Sequence, residues 1–303
     1  MNHSLISLQV QSVLYHTEPE NVKRSLQSIA EAANYALTHK TFTKVSVCYG
    51  DCSSIPVFTD VEIDELSERY RGILELQYIF WGENHGTAKG HNLLAKQCHS
   101  DYILVQNPDI VTAYDAICLL FEPFRMSKSA VGMSEARQMP IEHPKYYDSE
   151  TGETSWSSTA CTMFPKKVFD EVGGFDEGTF FLYCDDVDFS WMVRLKGYKI
   201  IYQPAAVVFH DKSLSQSAEW EPTSAEKYFS AEAGLLLPYK WSRKDLTDKI
   251  LSFFKKSSEP HFLKAAAEFE RRKAEGRLPK QVDKLHKVSE FIDGNYGKMR
   301  FTL

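Results

Sequence analysis

Tyr102-Ile103-Leu104-Val105-Gln106-Asn107-Pro108-Asp109 is a short, largely apolar run that halts at a turn. Its aliphatic centre, Ile103 to Val105, reads as a strand buried in a sheet, and Asn-Pro and Pro-Asp are both turn dipeptides. The run ends on a carboxylate. At the end of a buried strand a carboxylate can hold a hard divalent cation, which prefers oxygen ligands. The same tripeptide also serves as a plain turn without a ligand. The eight residues by themselves leave both readings open.

Upstream the pattern alternates. Residues 5–15 (LISLQVQSVLY), 44–49 (KVSVCY) and 74–80 read as strands. Residues 60–70 read as a helix, and so do residues 21–38, where Val22, Leu26, Ile29, Ala33 and Leu37 fall at helical spacing. Residues 84–92 form a glycine-punctuated loop entering a helix that runs to about residue 98. Downstream, 113–121, 168–174 and 186–196 read as helices, and 131–134, 159–164, 198–202 and 206–209 as strands. Gly197 is placed as a helix-terminating glycine. This alternation predicts an α/β domain with a mainly parallel central sheet flanked by helices. Ligands of such sheets bind beyond the carboxyl ends of the strands, where the turns at Asp51, Asn84 and Asp109 all fall. The connection over 137–158, rich in Pro, Tyr, Ser and charge, has little periodicity, and a connection this long is usually functional. After about residue 218 the alternation ceases, and 225–237, 245–254, 260–274 and 279–291 read as helices.

The chain has 303 residues, enough for one large domain or one domain with an appendage. No run reaches the roughly 18 apolar residues of a membrane span. The first residues lack the basic and apolar regions of a secretory signal. Six scattered cysteines without a CxxC pair point to buried thiols in a reducing compartment, so cytoplasm is expected. The net charge of −6 is uneven: residues 240–303 carry an excess of basic residues and the first 239 are strongly acidic. An acidic body argues against nucleic acid as a partner. A basic helical tail can touch an anionic membrane surface or be a solvated face.

A second stretch is as informative. Phe180 to Trp191 (FFLYCDDVDFSW) places Asp185, Asp186 and Asp188 within four positions and wraps them in aromatic residues. Such wrapping suits a carboxylate of raised proton affinity at a pocket wall. Acids also favour the first turn of a helix for its dipole. His210, after the apolar Val207-Val208-Phe209, reads as a metal ligand or as a hydrogen-bonded strand-end histidine. The loop around Gly86 matches neither GxGxxG nor GxxxxGK[ST], so it supports no dinucleotide or P-loop assignment.

Each piece is weak, but their order is specific. Asn107-Pro108-Asp109 resembles a DxD-type motif in its NPD form. Val172-Gly173-Gly174-Phe175-Asp176-Glu177 resembles a VGGFDE segment. Cys184 to Ser190 resembles an (E/D)DVDLS segment, followed by Arg194, Gly197-Tyr198, Pro204 and His210. In this order, over about residues 5–215, the chain resembles the family 2 glycosyltransferases, inverting enzymes of GT-A fold, and most of all their rhamnosyltransferase-like branch. Two positions differ: Asn107 stands where the first motif acid is usual, and the acid of Gly50-Asp51-Cys52-Ser53 is displaced by one from the family's Asp-Asn-x-Ser.

The resemblance implies a catalytic domain over 1–218, with a donor half to about residue 112 and an acceptor half beyond it, and a basic helical extension over 219–303. It implies transfer of a sugar, with inversion, from a nucleotide-diphosphate donor (dTDP-rhamnose or a UDP-sugar) to a hydroxyl of a saccharide or lipid-linked saccharide, in surface polysaccharide synthesis. Asp186 would be the base and Asp185 its neighbour at the acceptor. Asp188 would brace the helix start on the acceptor side, and Trp156 would lie on that side too, Trp156 being equally readable as a core anchor. Asp51, Gly86, Lys89, Asn92, Asn107 and Asp109 would line the donor. Asp109 and His210 would bind Mg²⁺ or Mn²⁺. A lipid-linked acceptor would give the basic helices a reason to sit at the inner face of the plasma membrane. Two alternatives stand beside this reading. A non-catalytic nucleotide-sugar-binding module would be expected to lack one of these acids. A sugar nucleotidyltransferase would carry a basic glycine-rich signature near the N-terminus, where residues 5–20 have no Gly, Lys or Arg.

Overall fold

The computed structural model describes residues 6–127, 129–141, 145–210 and 222–296. The elements, in order, are β1 (Ser7–Leu14), α1 (Pro19–Thr38), β2 (Lys44–Asp51), α2 (Asp60–Arg69), β3 (Glu75–Phe80), α3 (Gly86–Lys96), β4 (Tyr102–Gln106), β5 (Ile110–Thr112), α4 (Ala116–Met126), β6 (Val131–Met139), β7 (Glu153–Thr154), β8 (Cys161–Pro165), α5 (Lys166–Val172), α6 (Asp185–Leu195), β9 (Lys199–His210), α7 (Ser224–Lys240), α8 (Lys244–Lys256) and α9 (Pro260–Ala274). One sheet runs β3-β2-β1-β4-β8-β6-β9-β5, with β7 on β9.

The expected parallel order holds for β3-β2-β1-β4. The other half is mixed: β8 is antiparallel to both β4 and β6, while β6 and β9 are parallel. The correction has a physical source. A parallel return needs a crossover, usually a helix, and the chain between β6 and β8 has none among its described residues. Two expected strands also merge into the single β9, with a register irregularity opposite Ala136 and Arg137.

Two apolar cores cover the two faces of the sheet. On one, Val22, Leu26, Ile29 and Ala33 of α1 are buried against β1, β2 and β4, with Phe121 of α4. On the other, α3, α5 and α6 pack through Ala88, Phe169 and Phe189. A third core joins α6 to the C-terminal helices: Trp191 and Trp241, both fully buried, meet edge to face at 5.1 Å. Residues 222–296 are therefore packed on the catalytic candidate segment and not merely appended to it. The expected boundary at 218 lies outside the described residues. The helix expected over 279–291 is not there. This segment runs as an irregular arm whose turn is fixed by Asp283, whose carboxylate accepts from the backbone N–H groups of Lys287, Val288 and Ser289. Its apolar residues pack singly, Phe291 against Trp191 at 5.1 Å. All six cysteines are free. No helix among the described residues is long and apolar enough to cross a membrane.

Candidate active site

Asp109 follows the turn after β4, and β5 then pairs antiparallel with β9 so that Ile110 faces His210. This short strand, unforeseen from the pattern, brings the two candidate ligands together: His210 Nε2 lies 3.3 Å from Asp109 Oδ1 and 3.5 Å from Asn107 Nδ2. The other ring nitrogen, Nδ1, lies 3.0 Å from Oε1 of Gln138, a buried residue of β6. With Nδ1–H donating to Gln138, Nε2 keeps its lone pair. Nε2 and Asp109 Oδ1 then face each other as two acceptors, an arrangement that a cation between them resolves. A carboxylate, an imidazole and a nearby amide fit a divalent ion that takes its other ligands from phosphate and water. Among the described residues no group of three or more His, Cys, Asp and Glu could hold a metal.

The second group of acids sits at the start of α6. Tyr183 and Cys184 both have left-handed backbones, with φ of 67° and 58°. That conformation is costly for non-glycine residues and tends to cluster at functional sites. It turns the chain sharply, so that Asp185 and Asp186 open the helix while buried, at 4% and 9% exposure. Thr87 Oγ1 donates to Asp185 Oδ2 at 2.8 Å. Burial, with the Asp186 charge beside it, raises the proton affinity of Asp185 well above the ordinary carboxylate range. Gly86 makes this approach possible: its φ is +70°, and a Cβ there would fall 2.3 Å from the Phe181 carbonyl oxygen. The glycine loop is thereby bonded to the acid segment, Thr87 N–H donating to Phe181 O at 3.1 Å.

Three expected site residues are placed in supporting contacts. Asp188 points away from the acid pair: its oxygens accept from Lys240 Nζ at 2.7 Å and Trp241 Nε1 at 2.9 Å, and Lys240 also reaches Asp176. Only two residues separate Asp185 from Asp188, but their partners lie on different elements. Asn92 holds the Phe175 turn, accepting from its N–H at 2.9 Å and donating to its carbonyl at 2.9 Å. A Cβ on Gly174 would collide with Asn92 Oδ1 at 2.6 Å. Trp156 is buried, with Lys145 Nζ 4.0 Å above its ring centroid and Tyr296 at its edge, so the core-anchor reading holds and a sugar platform does not.

Asp51, fully buried, accepts from the N–H groups of Ser53 and Val57 and from the Tyr78 hydroxyl. It shapes the loop after β2 and offers no surface for direct contact with a base. Lys89, one turn into α3, has no ion pair or hydrogen bond among the described residues and lies near Cys52 at the end of β2. Sequence reasoning missed Thr87, Gln138, and a buried Glu135–Lys145 ion pair next to Asp186. Glu135 lies just past the strand expected over 131–134, in the polar run Ser134-Glu135-Ala136-Arg137-Gln138, and carried no clear signal. Lys145, in an aperiodic stretch, carried none.

β6 ties the two groups together. Glu135 lies beside the acid pair and Gln138 beside His210, three residues on, which is about 10 Å along a strand.

No family model matches the chain. Sixty residues are 38% identical to the N-acetylglucosaminyl-diphospho-decaprenol L-rhamnosyltransferase of Mycobacterium tuberculosis, covering 20% of this chain and 19% of that protein. Another 26% identity, over 142 residues, relates 41% of the chain to 34% of the poly-beta-1,6-N-acetyl-D-glucosamine synthase of Staphylococcus aureus. The chain thus spans only a minor part of the length of the curated relatives it matches. In fold it is similar to the crystal structure of GalNAc-T7 with UDP, GalNAc and Mn²⁺, with a TM-score of 0.64 at 11% identity over 95% of this chain and 58% of that one. The mixed sheet is that of the GT-A fold, and the sequence matches, each over a minor part of the chain, support a likeness to the family 2 glycosyltransferases.

Proposed function

We propose that the chain transfers a sugar, with inversion, from a nucleotide-diphosphate donor to a hydroxyl of a saccharide or lipid-linked saccharide. The observation that carries this reading is that one strand, β6, meets both groups: Glu135 beside the buried acid pair at the start of α6, and Gln138 bonded to His210 of the Asp109–His210 site.

Asp186 accepts the proton of the acceptor hydroxyl as that oxygen attacks the anomeric carbon. Asp185, held by Thr87, orients the acceptor at the same wall. The diphosphate leaves towards Asp109 and His210, with Asn107 beside them and Lys89 at the donor side of α3. Asp109 and His210 would hold Mg²⁺ or Mn²⁺, which supplies positive charge to the leaving diphosphate. Asp51 acts on the nucleotide through the loop it fixes, and Gly86 through the close approach it permits. The names of the relatives support rhamnose or N-acetylglucosamine as the sugar and polysaccharide synthesis as setting, and dTDP-rhamnose or a UDP-sugar is the donor we propose. The test is a panel of nucleotide sugars with released nucleoside diphosphate as readout. Turnover of one or more donors is expected. Tight binding without release under every acceptor condition would mean a binding module, and exchange of pyrophosphate into the nucleotide would mean a nucleotidyltransferase.

We further propose that a lipid-linked acceptor brings the α8 surface to an anionic membrane, through exposed Lys249, Lys256 and Phe253. Because residues 222–296 share a core with α6, charge reversal at Lys249 and Lys256 is a better test than truncation. Reduced flotation with anionic liposomes is expected, and unchanged flotation would contradict the membrane contact.

A further inference from the structure

The core that faces α1 holds an enclosed polar knot. Gln106, the last residue of β4, is 0% exposed, and buried with it are Ser25 and Ser28 of α1, Thr112 of β5 and Cys161 of β8. An amide in such a core is costly unless its hydrogen bonds are made. Here they are made. The Gln106 amide nitrogen donates to Ser25 Oγ at 3.3 Å and to the Ile110 carbonyl at 3.4 Å. Its oxygen accepts from Thr112 Oγ1 at 3.0 Å, with the Cys161 thiol at 3.9 Å. Ser28 completes the knot: its Oγ accepts from the Thr112 N–H at 2.9 Å and donates to the Ser25 carbonyl at 2.7 Å.

The knot closes around the segment that carries Asn107-Pro108-Asp109. β4 and β5 follow each other in the chain but are not neighbours in the sheet, β5 pairing with β9 at the end of the strand order. The two ends of the turn are joined instead by side chains. The bond between Thr112 and Gln106 spans six positions, with Asp109 at its middle. β5 has only three residues, and it sets Ile110 opposite His210. Whatever fixes β5 therefore fixes both Asp109 and His210, whose facing atoms are 3.3 Å apart. Apolar groups of the same shape can replace a buried hydrogen-bonded pair at little cost in stability. Packing alone therefore does not call for a glutamine at this strand end.

Taking Asp109 and His210 as the cation side of the transfer site proposed above, we propose that Gln106 is a positioning residue for that site. Its amide clamps the Asn107-Pro108-Asp109 turn by its two ends and so sets the place of the Asp109 carboxylate relative to His210. A buried network with all its bonds made fixes one geometry and rigidifies it. The two serines extend the clamp to α1, and through it to the core of the parallel half.

The test uses Thr112→Val in the full chain, which keeps the branched shape of the side chain and removes the hydroxyl bonded to Gln106. Mn²⁺ binding in the presence of UDP and, separately, of dTDP is followed by loss of the free-ion electron paramagnetic resonance signal. Thr112→Val should weaken Mn²⁺ binding about tenfold, and Thr112→Ser, which keeps the hydroxyl, should stay within about twofold of wild type. Gln106→Met combined with Thr112→Val should bind no more weakly than Gln106→Met alone, because the hydroxyl then has no amide to hold. A role in stability alone would shift urea unfolding and leave the Mn²⁺ affinity of the folded chain unchanged. That result overturns the proposal, as does a Thr112→Ser variant as weak as Thr112→Val. Amide hydrogen exchange without metal tests the clamp by itself: positions 110 and 112 should exchange about tenfold faster in Thr112→Val, with β1 unchanged. Unchanged exchange at 110 and 112 overturns the clamp. Faster exchange there, in a chain whose wild type binds no Mn²⁺ with either diphosphate, would count against the cation reading of Asp109 and His210 and not against the clamp.

Discussion

Two groups of carboxylates stand at the same end of one sheet and differ in almost every physical respect. Asp109 is at a strand end, with its side chain 31% exposed and beside an imidazole whose tautomer is set by Gln138. Asp185, Asp186 and Glu135 are all buried, at 9% exposure or less, and hydrogen-bonded into a wall. An open carboxylate facing a nitrogen lone pair is ready for a cation. Buried carboxylates crowded together are ready for a proton, because low dielectric and mutual repulsion both favour the neutral form. The chain thus separates its two chemical duties by burial more than by residue type, using aspartate for both.

The burial of the acid wall depends on the C-terminal helices, and the largest effect is expected where they are tied to it. Lys240→Met leaves Asp188 and Asp176 without their shared cation. Removing one partner of a buried pair costs about 3–5 kcal/mol, to be read from urea unfolding. A loss below about 1 kcal/mol would mean that α7 to α9 do not support α6 through this contact. The exposed site is tested next through its second layer. Gln138→Leu removes the acceptor for His210 Nδ1–H, and Mn²⁺ affinity in the presence of nucleoside diphosphate should fall about 10–100-fold by calorimetry. An unaltered affinity would show that Gln138 does not set the ring. The smallest effect sharpens the contrast in proton affinity. Asp185 binds its proton more tightly folded than unfolded, so its contribution to stability is present below the unfolded value near 4 and is lost as pH rises through the raised folded value. Asp185→Asn should therefore stabilise the chain at pH 8 by roughly 1–3 kcal/mol relative to pH 4. Asp109→Asn serves as the comparison, and a gain there as large as that at Asp185 would undo the distinction between the two sites.

Much of this was legible in the sequence, for reasons that differ by region. The parallel half was readable because each strand and helix shows its own period, as in 44–49 and in the Val22 to Ala33 face. The mixed half was not, because the direction of β8 is fixed by a connection without periodicity. The arm at 279–291 has apolar residues near helical spacing, yet its backbone is held by the Asp283 turn and its side chains fill gaps between Trp191 and α7. At the site, order along the chain identified the acids and His210 together. It ranked Asp188 last, as a brace of the helix start, but could not name the partners, Lys240 and Trp241, that each lie more than 50 residues away. Glu135 with Lys145, and Gln138 with His210, are contacts across the sheet or from the long connection, which no local pattern announces.

Asp186→Asn, followed by nucleoside-diphosphate release and by calorimetric donor binding on the same preparation, tests the central claim most directly. Loss of general-base help should lower turnover about 10²–10⁴-fold while donor affinity stays within a few-fold of wild type. Turnover at the wild-type rate, or loss of donor binding in parallel with turnover, would contradict Asp186 as the base of sugar transfer.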